Sequence, residues 1–123
     1  MWPRVIQRAR LVACAGAILC VVGGASGQVV PGPLIGFGNN GFGQLNVPPG
    51  KFVAVVETSI TCAALRADGS IALWGDPDPV LMNAPPGPFK FITAGASCYF
   101  AIRMDDTLVG WGYNFMGELN APP

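Results

Sequence analysis

Residues 108–123, LVGWGYNFMGELNAPP, decide the fold because the chain carries related text twice before: residues 34–49 read LIGFGNNGFGQLNVPP and residues 71–86 read IALWGDPDPVLMNAPP. Each segment begins 37 residues after the previous one, without a gap. The aromatic-Gly pairs Phe37-Gly38, Trp74-Gly75 and Trp111-Gly112 fall on this period, as do Pro48-Pro49, Pro85-Pro86 and Pro122-Pro123, and Asn46, Asn83 and Asn120. Phe52 recurs as Phe89, Arg66 as Arg103 and Asp68 as Asp105. A fixed period of about 20–50 residues marks stacked units, none of which can bury its apolar face alone.

Each unit reads as short strands. Phe52 to Val56, Cys62 to Arg66 and Ile71 to Trp74 match Phe89 to Thr93, Tyr99 to Arg103 and Leu108 to Trp111, all β-branched or aromatic and bounded by turn residues. The breakers leave no room for a helix of ten or more residues, which excludes helical repeats. Ile71-Ala72-Leu73-Trp74 is continuously apolar where a half-exposed strand would alternate, so both of its faces are expected to be covered. Ala67-Asp68-Gly69-Ser70 carries the Asp-Gly hairpin signal, with positive φ expected at both central residues. In the next unit Asp106 replaces that glycine, at an expected strain of about 0.5–1 kcal/mol. Three strands, with a fourth near Gln44 to Val47, suit a propeller blade of four-stranded antiparallel sheet; a flat β-solenoid is the alternative. The fold class is all-β, a partial β-propeller of about 2.6 blades over residues 28–123.

A helical signal peptide is expected ahead of it, over residues 1–27. Arg4, Arg8 and Arg10 precede the uncharged apolar run Leu11 to Val22, and Gly23, Gly24, Ala25, Ser26 and Gly27 supply the small-residue exit. The exported form would begin near Ser26 or Gln28, in a secreted or periplasmic location. The run of 12 apolar residues is shorter than the roughly 20 that span hydrocarbon. Cys14 follows Arg10 too closely for a lipoprotein box.

Composition narrows the function. The 123 residues include no histidine, so imidazole bases, His-paired nucleophiles and His metal ligands are excluded. Seven Lys and Arg balance seven Asp and Glu, and the three N-terminal arginines leave a net charge of −3 on the remainder, the wrong sign for a nucleic-acid binder. Glu57, Asp76, Asp78 and Glu118 are the candidate carboxylates for an enzyme, but no base, nucleophile and orienting group assemble around them. Asp76-Pro77-Asp78 reads as turn chemistry, since a hard metal wants more oxygen ligands. The expectation is a non-enzyme with no cofactor and no metal.

The run Gly95, Ala96, Ser97, Cys98, Tyr99, Phe100, Ala101, Ile102, Arg103, followed by Asp105, Thr107 and Trp111-Gly112, resembles the repeat of the regulator of chromosome condensation family. Asn39, Gly43, Gln44, Leu45 and Asn46, and again Asn114, Gly117, Glu118, Leu119 and Asn120, resemble the end of that repeat. The family's His is Thr61 and Cys98 here, and its Gly-Gln is Val80-Leu81 in the middle unit. The resemblance implies the blades of a seven-bladed propeller, of which this chain supplies too few to close a ring. It also extends to secreted propeller-type β-lactamase inhibitory proteins, which dock loops onto an enzyme. What it implies here is a protein-binding module or a fragment of a larger propeller, with an inhibitor of an extracellular enzyme or an inert remnant as alternatives. Homo-oligomer formation is one way to complete the stack, and no membrane contact is expected after cleavage.

Trp74 and Trp111 are read as core from their periodic placement. Phe42, Tyr113 and Phe115 vary between units in the loop after the aromatic-Gly pair, and are the candidate protein-binding residues beside a reading of local loop packing. Cys62 and Cys98 remain after cleavage and stand 36 residues apart in a 37-residue period. A disulfide across the blade interface and two separate buried thiols both stay open.

Overall fold

The computed structural model describes residues 9–14, 17–22, 32–38 and 40–120. They form nine strands: β1 (Ala9–Cys14), β2 (Ala17–Val22), β3 (Leu34–Gly38), β4 (Ala54–Glu57), β5 (Thr61–Leu65), β6 (Ile71–Gly75), β7 (Phe89–Ala94), β8 (Cys98–Arg103) and β9 (Leu108–Gly112). These make three antiparallel three-stranded sheets, ordered β1-β2-β3, β4-β5-β6 and β7-β8-β9. No helix occurs among the described residues. The first strands lie side by side, with β4 between β1 and β7.

The last strand of every sheet obeys the period, because Leu34, Ile71 and Leu108 open them and Gly38, Gly75 and Gly112 close them. At Gly75 and Gly112 φ is 111° and 112°. A Cβ on Gly75 would lie 2.7 Å from the Ile60 carbonyl oxygen, and one on Gly112 would lie 2.7 Å from that of Ser97. The aromatic-Gly pair is therefore a packing residue followed by a turn that only glycine fits.

Two apolar layers hold the stack together. Phe52, Val55, Cys62, Ala64, Ala72 and Trp74 bury one layer, against which Leu34, Leu45 and Val47 pack. Ala63, Leu65, Leu81, Phe89, Ile92, Tyr99, Ala101 and Trp111 bury the other, between the second and third sheets. Alternation along β5 sends Cys62 and Ala64 to one layer and Ala63 and Leu65 to the other, so all five of its residues are buried. On β6, where coverage of both faces was expected, Ala72 and Trp74 are buried in the first layer and Ile71 and Leu73 pack half-buried against the second.

Three expectations are corrected. The blades have three strands, and Gln44 to Val47 forms none. The amides there are used locally, Leu45 N donating to Asn40 Oδ1 at 2.7 Å and Asn46 N to the Gly43 carbonyl at 3.0 Å. The helix expected within residues 1–27 is absent among the described residues, because Ala9–Cys14 and Ala17–Val22 pair with each other and Ala17–Val22 then with β3. By the period, Thr61 opposite Gly75 would bring Gly24 opposite Gly38, yet Ala17 stands there, a slip of seven residues. Val and Ile are strong strand formers, which suits Ala17–Val22 to that place. The signal-peptide exit, residues 23–27, lies outside the described residues.

The hairpin turn is the third. Gly69 N donates to the Arg66 carbonyl at 3.0 Å, and among the described residues of that turn only Gly69 has positive φ, at 87°. This is a type I turn ending in a left-handed residue, not a turn with two left-handed centres. Asp68 Oδ1 accepts from Ser70 N at 2.9 Å and Ser70 Oγ at 2.6 Å, which holds its carboxyl below the usual range. Asp105 does the same with Thr107, and Asp106 takes the left-handed place at φ 72°, as the sequence leads one to expect.

Candidate functional site

The three loops that follow the aromatic-Gly pairs emerge at one edge of the stack. In the first, Asn40 Oδ1 accepts from Leu45 N, Asn40 Nδ2 donates to Asn46 Oδ1 at 3.3 Å, and Gln44 Oε1 accepts from Phe42 N at 2.9 Å. The third repeats each bond: Leu119 N to Asn114 Oδ1 at 2.8 Å, Asn114 Nδ2 to Asn120 Oδ1 at 3.2 Å, and Met116 N to Glu118 Oε2 at 2.9 Å. Asn40, rather than Asn39, is thus the counterpart of Asn114. The middle loop lacks both residues and substitutes Asp78, whose Oδ1 accepts from Val80 N at 2.8 Å and Leu81 N at 3.2 Å. Asp78 is turn chemistry, as its place before Pro79 implied.

The tryptophans anchor these loops to the core. Trp74 Nε1 donates to the Gln44 carbonyl at 2.7 Å and Trp111 Nε1 to the Leu81 carbonyl at 3.0 Å, each reaching 30 residues back. Both rings are buried, Trp111 being stacked on Tyr99 with centroids 5.2 Å apart. Their placement is the core one read from the period.

The fixed loops present apolar side chains to water. Phe42 is 45% exposed, Val80 40%, Phe115 78% and Met116 91%. Two of these, Phe42 and Phe115, were legible in the sequence. Val80 and Met116 were missed, although Met116 stands 74 residues after Phe42, two whole periods. Tyr113, the remaining candidate, is half-buried and packs against the second layer. Its hydroxyl donates to Asp78 Oδ2 at 2.7 Å, and its ring stacks on Phe115 with centroids 4.9 Å apart and planes 9° apart. The hydrogen bond from Tyr113 holds the Asp78 carboxyl below its ordinary range, and in turn Asp78, with Asp76 near, raises the Tyr113 phenol. Tyr113 is thus tied into its loop, bonded to Asp78 and stacked on Phe115.

Charge divides by edge. Glu57, Asp76, Asp78 and Glu118 all lie at the loop edge, because Glu57 pairs with Cys62 and Asp76 N donates to the Ile60 carbonyl at 3.0 Å. Lys51, Arg66, Lys90 and Arg103 lie at the hairpin edge with Asp68, Asp105 and Asp106. No cation shares the loop edge among the described residues. Among them, too, no three Asp, Glu or Cys gather as a metal site.

Cys62 and Cys98 are both buried, and no disulfide joins them to each other. Cys62 faces the first apolar layer, on the side of the second sheet away from Cys98. Cys98 is the periodic counterpart of Thr61, which faces forward to the third sheet, so Cys98 faces forward and away as well. Burial pushes the Cys98 thiol up.

No family model matches the chain, and no curated protein matches it. Solved structures do. The ectodomain of the receptor kinase CR4 from Physcomitrella patens superimposes with a TM-score of 0.67 at 21% identity, over 92% of this chain and 32% of that one. Human WBSCR16 gives 0.63 at 21% identity, over 90% and 36%. The C-terminal domain of gp131 from bacteriophage phiKZ gives 0.58 at 12% identity, over 85% and 36%. The chain spans about a third of the length of each. At such identities the likeness shows the fold alone, an all-β stack of three-stranded antiparallel sheets.

Proposed function

We propose that this chain is a non-enzymatic, exported repeat protein whose loop edge docks a protein partner. The observation that carries the reading is the row Phe42, Val80, Phe115 and Met116, held in water by loops whose own backbone is tied down by side-chain caps. Exposed apolar side chains on loops whose backbone is capped bind with little ordering cost. Export draws support from the charged and apolar pattern of residues 1–27 and from the likeness to a receptor ectodomain. Kinship with the regulator of chromosome condensation repeat rests on the Trp-Gly, Asp-turn and Gly-Gln-Leu residues. A second reading, that these blades belong to a larger propeller, is favoured by the third of each solved chain that they cover.

Selection of a displayed random-peptide library on the full chain tests the docking reading. Enriched peptides should lose binding to the F115A/M116A variant. Enrichment of peptides indifferent to that variant would contradict it.

A further inference from the structure

The third sheet turns an apolar face forward that no described residue covers. Tyr99, Ala101 and Trp111 point back into the layer shared with the second sheet, so by alternation Phe100 and Ile102 on β8 and Leu108 and Gly110 on β9 point the other way. Ile92 points back as well, which turns Phe91 forward. Phe91 is 51% exposed and Leu108 53%. Register puts Phe91, Ile102 and Leu108 in one row across the sheet, and Phe100 beside Gly110 in the next. A sheet face built for water alternates with polar residues, and this row is large and apolar throughout.

The matching face of the second sheet is the one that the third sheet covers. Its cross-strand pairs Ala63–Leu73 and Leu65–Ile71 become Phe100–Gly110 and Ile102–Leu108 one period on. The first exchange moves bulk from one strand to its neighbour and keeps the depth of the face, since a Cβ on Gly110 would lie 2.8 Å from Phe100 Cε1.

Two backbone contacts between neighbouring units also follow the period. Trp74 Nε1 donates to the Gln44 carbonyl and Trp111 Nε1 to that of Leu81, so Glu118 holds the third carbonyl of the series. Phe52 N donates to the Gly32 carbonyl at 2.7 Å and Phe89 N to the Gly69 carbonyl at 2.9 Å, and there Asp106 holds the third place. The seat thus asks its occupant for an indole N–H and a phenylalanine amide at the spacing of Trp111 and Phe89. A second copy offering its first sheet does not meet this demand, because Phe37 stands at the tryptophan position and phenylalanine has no N–H.

We propose that the forward face of the third sheet docks one further repeat unit of this pattern, seated as the third sheet sits on the second. A tryptophan of that unit donates to the Glu118 carbonyl and a phenylalanine amide to that of Asp106. This seat rests on the reading that these blades belong to a larger propeller, and it does not use Phe42, Val80, Phe115 or Met116.

The test joins a second copy of residues 87–123 to the full chain after Pro123, which continues the period without a gap. Hydrogen exchange of residues 98–112, read by mass spectrometry, should slow about tenfold relative to the full chain alone as the face is covered. W111F in the added unit alone should leave about twofold of that slowing. L108D should abolish it. Leu108 is half exposed in the full chain, so L108D there should leave exchange unchanged. Slowing that survives either substitution in full would overturn this seat while leaving the larger-propeller reading in place. An added unit that exchanges as an unfolded chain and protects nothing would overturn both. Slow exchange of residues 98–112 in the full chain alone, with the mass of a dimer by light scattering and quickened by L108D, would make a second copy the occupant and overturn the proposal.

Discussion

Thr61 and Tyr99 meet hydroxyl to hydroxyl at 2.7 Å across the interface of the second and third sheets, where both side chains are fully buried. They are 38 residues apart, one period plus one, which is the offset at which a forward-facing strand position meets a backward-facing one. Thr58 Oγ1 joins them, 2.7 Å from Thr61 Oγ1. A buried hydroxyl relay of this kind fixes the register of two blades more sharply than apolar contact does.

Replacing Tyr99 by Phe should therefore cost about 1–2 kcal/mol, and Thr61 by Val about 1–3 kcal/mol because it leaves the phenol short of a partner. Urea unfolding of both variants measures this. Variants as stable as the parent would place the register elsewhere.

Alkaline pH should weaken the parent more than Y99F. Burial pushes the Tyr99 phenol up to about 12, while in the unfolded chain it ionises near its ordinary 10. The folded state keeps its proton where the unfolded state releases it, so the stabilisation is complete below pH 10 and is lost as pH rises toward 12, by roughly 2–3 kcal/mol. Stability curves of the two proteins from pH 9 to 12 should converge and then cross, and parallel curves would contradict the burial of this group.

Gly69 and Asp106 occupy the same turn position and should answer substitution oppositely. A Cβ on Gly69 would lie 2.7 Å from Pro88 Cβ and 2.9 Å from the Phe89 carbonyl oxygen, at φ 87°. Gly69→Asp should cost about 2–3 kcal/mol. Asp106→Gly should instead stabilise by about 0.5 kcal/mol, as relief of left-handed strain outweighs an exposed pairing with Lys90. The gain should grow in high salt, and a loss at every ionic strength would contradict the turn assignment.

Much of this architecture was legible because a period survives imperfect residues. Strands read at Phe89 to Thr93 and Leu108 to Trp111 differ from β7 and β9 by one residue each. The period also placed both tryptophans in the core. It could not say which way a strand faces, and that sense decides whether thiols one residue out of register meet. Cys62 and Cys98 carry the opposite offset to Thr61 and Tyr99, and point apart. The helical shape expected ahead of the repeats was not fixed by the residues, because an apolar run of Leu, Val, Ile and Cys serves a strand as well as a helix, and only an unpaired edge of β3 distinguishes them. At the loop edge, the tie between Tyr113 and Asp78 was not legible, because it depends on a loop that had lost its repeat residues.

The thiols give a direct check of that sense. Alkylation of the unreduced, denatured chain followed by peptide mass mapping should find Cys62 and Cys98 each labelled. A linked peptide pair would mean that the sheets face the other way.

The measurement closest to the central claim separates binding from folding in the F115A/M116A variant. Side chains this exposed contribute little to stability, so the melting temperature should stay within about 2–3 °C of the parent while affinity for selected peptides is lost. A clear fall in melting temperature with peptide binding intact would make these residues loop packing and contradict a docking edge.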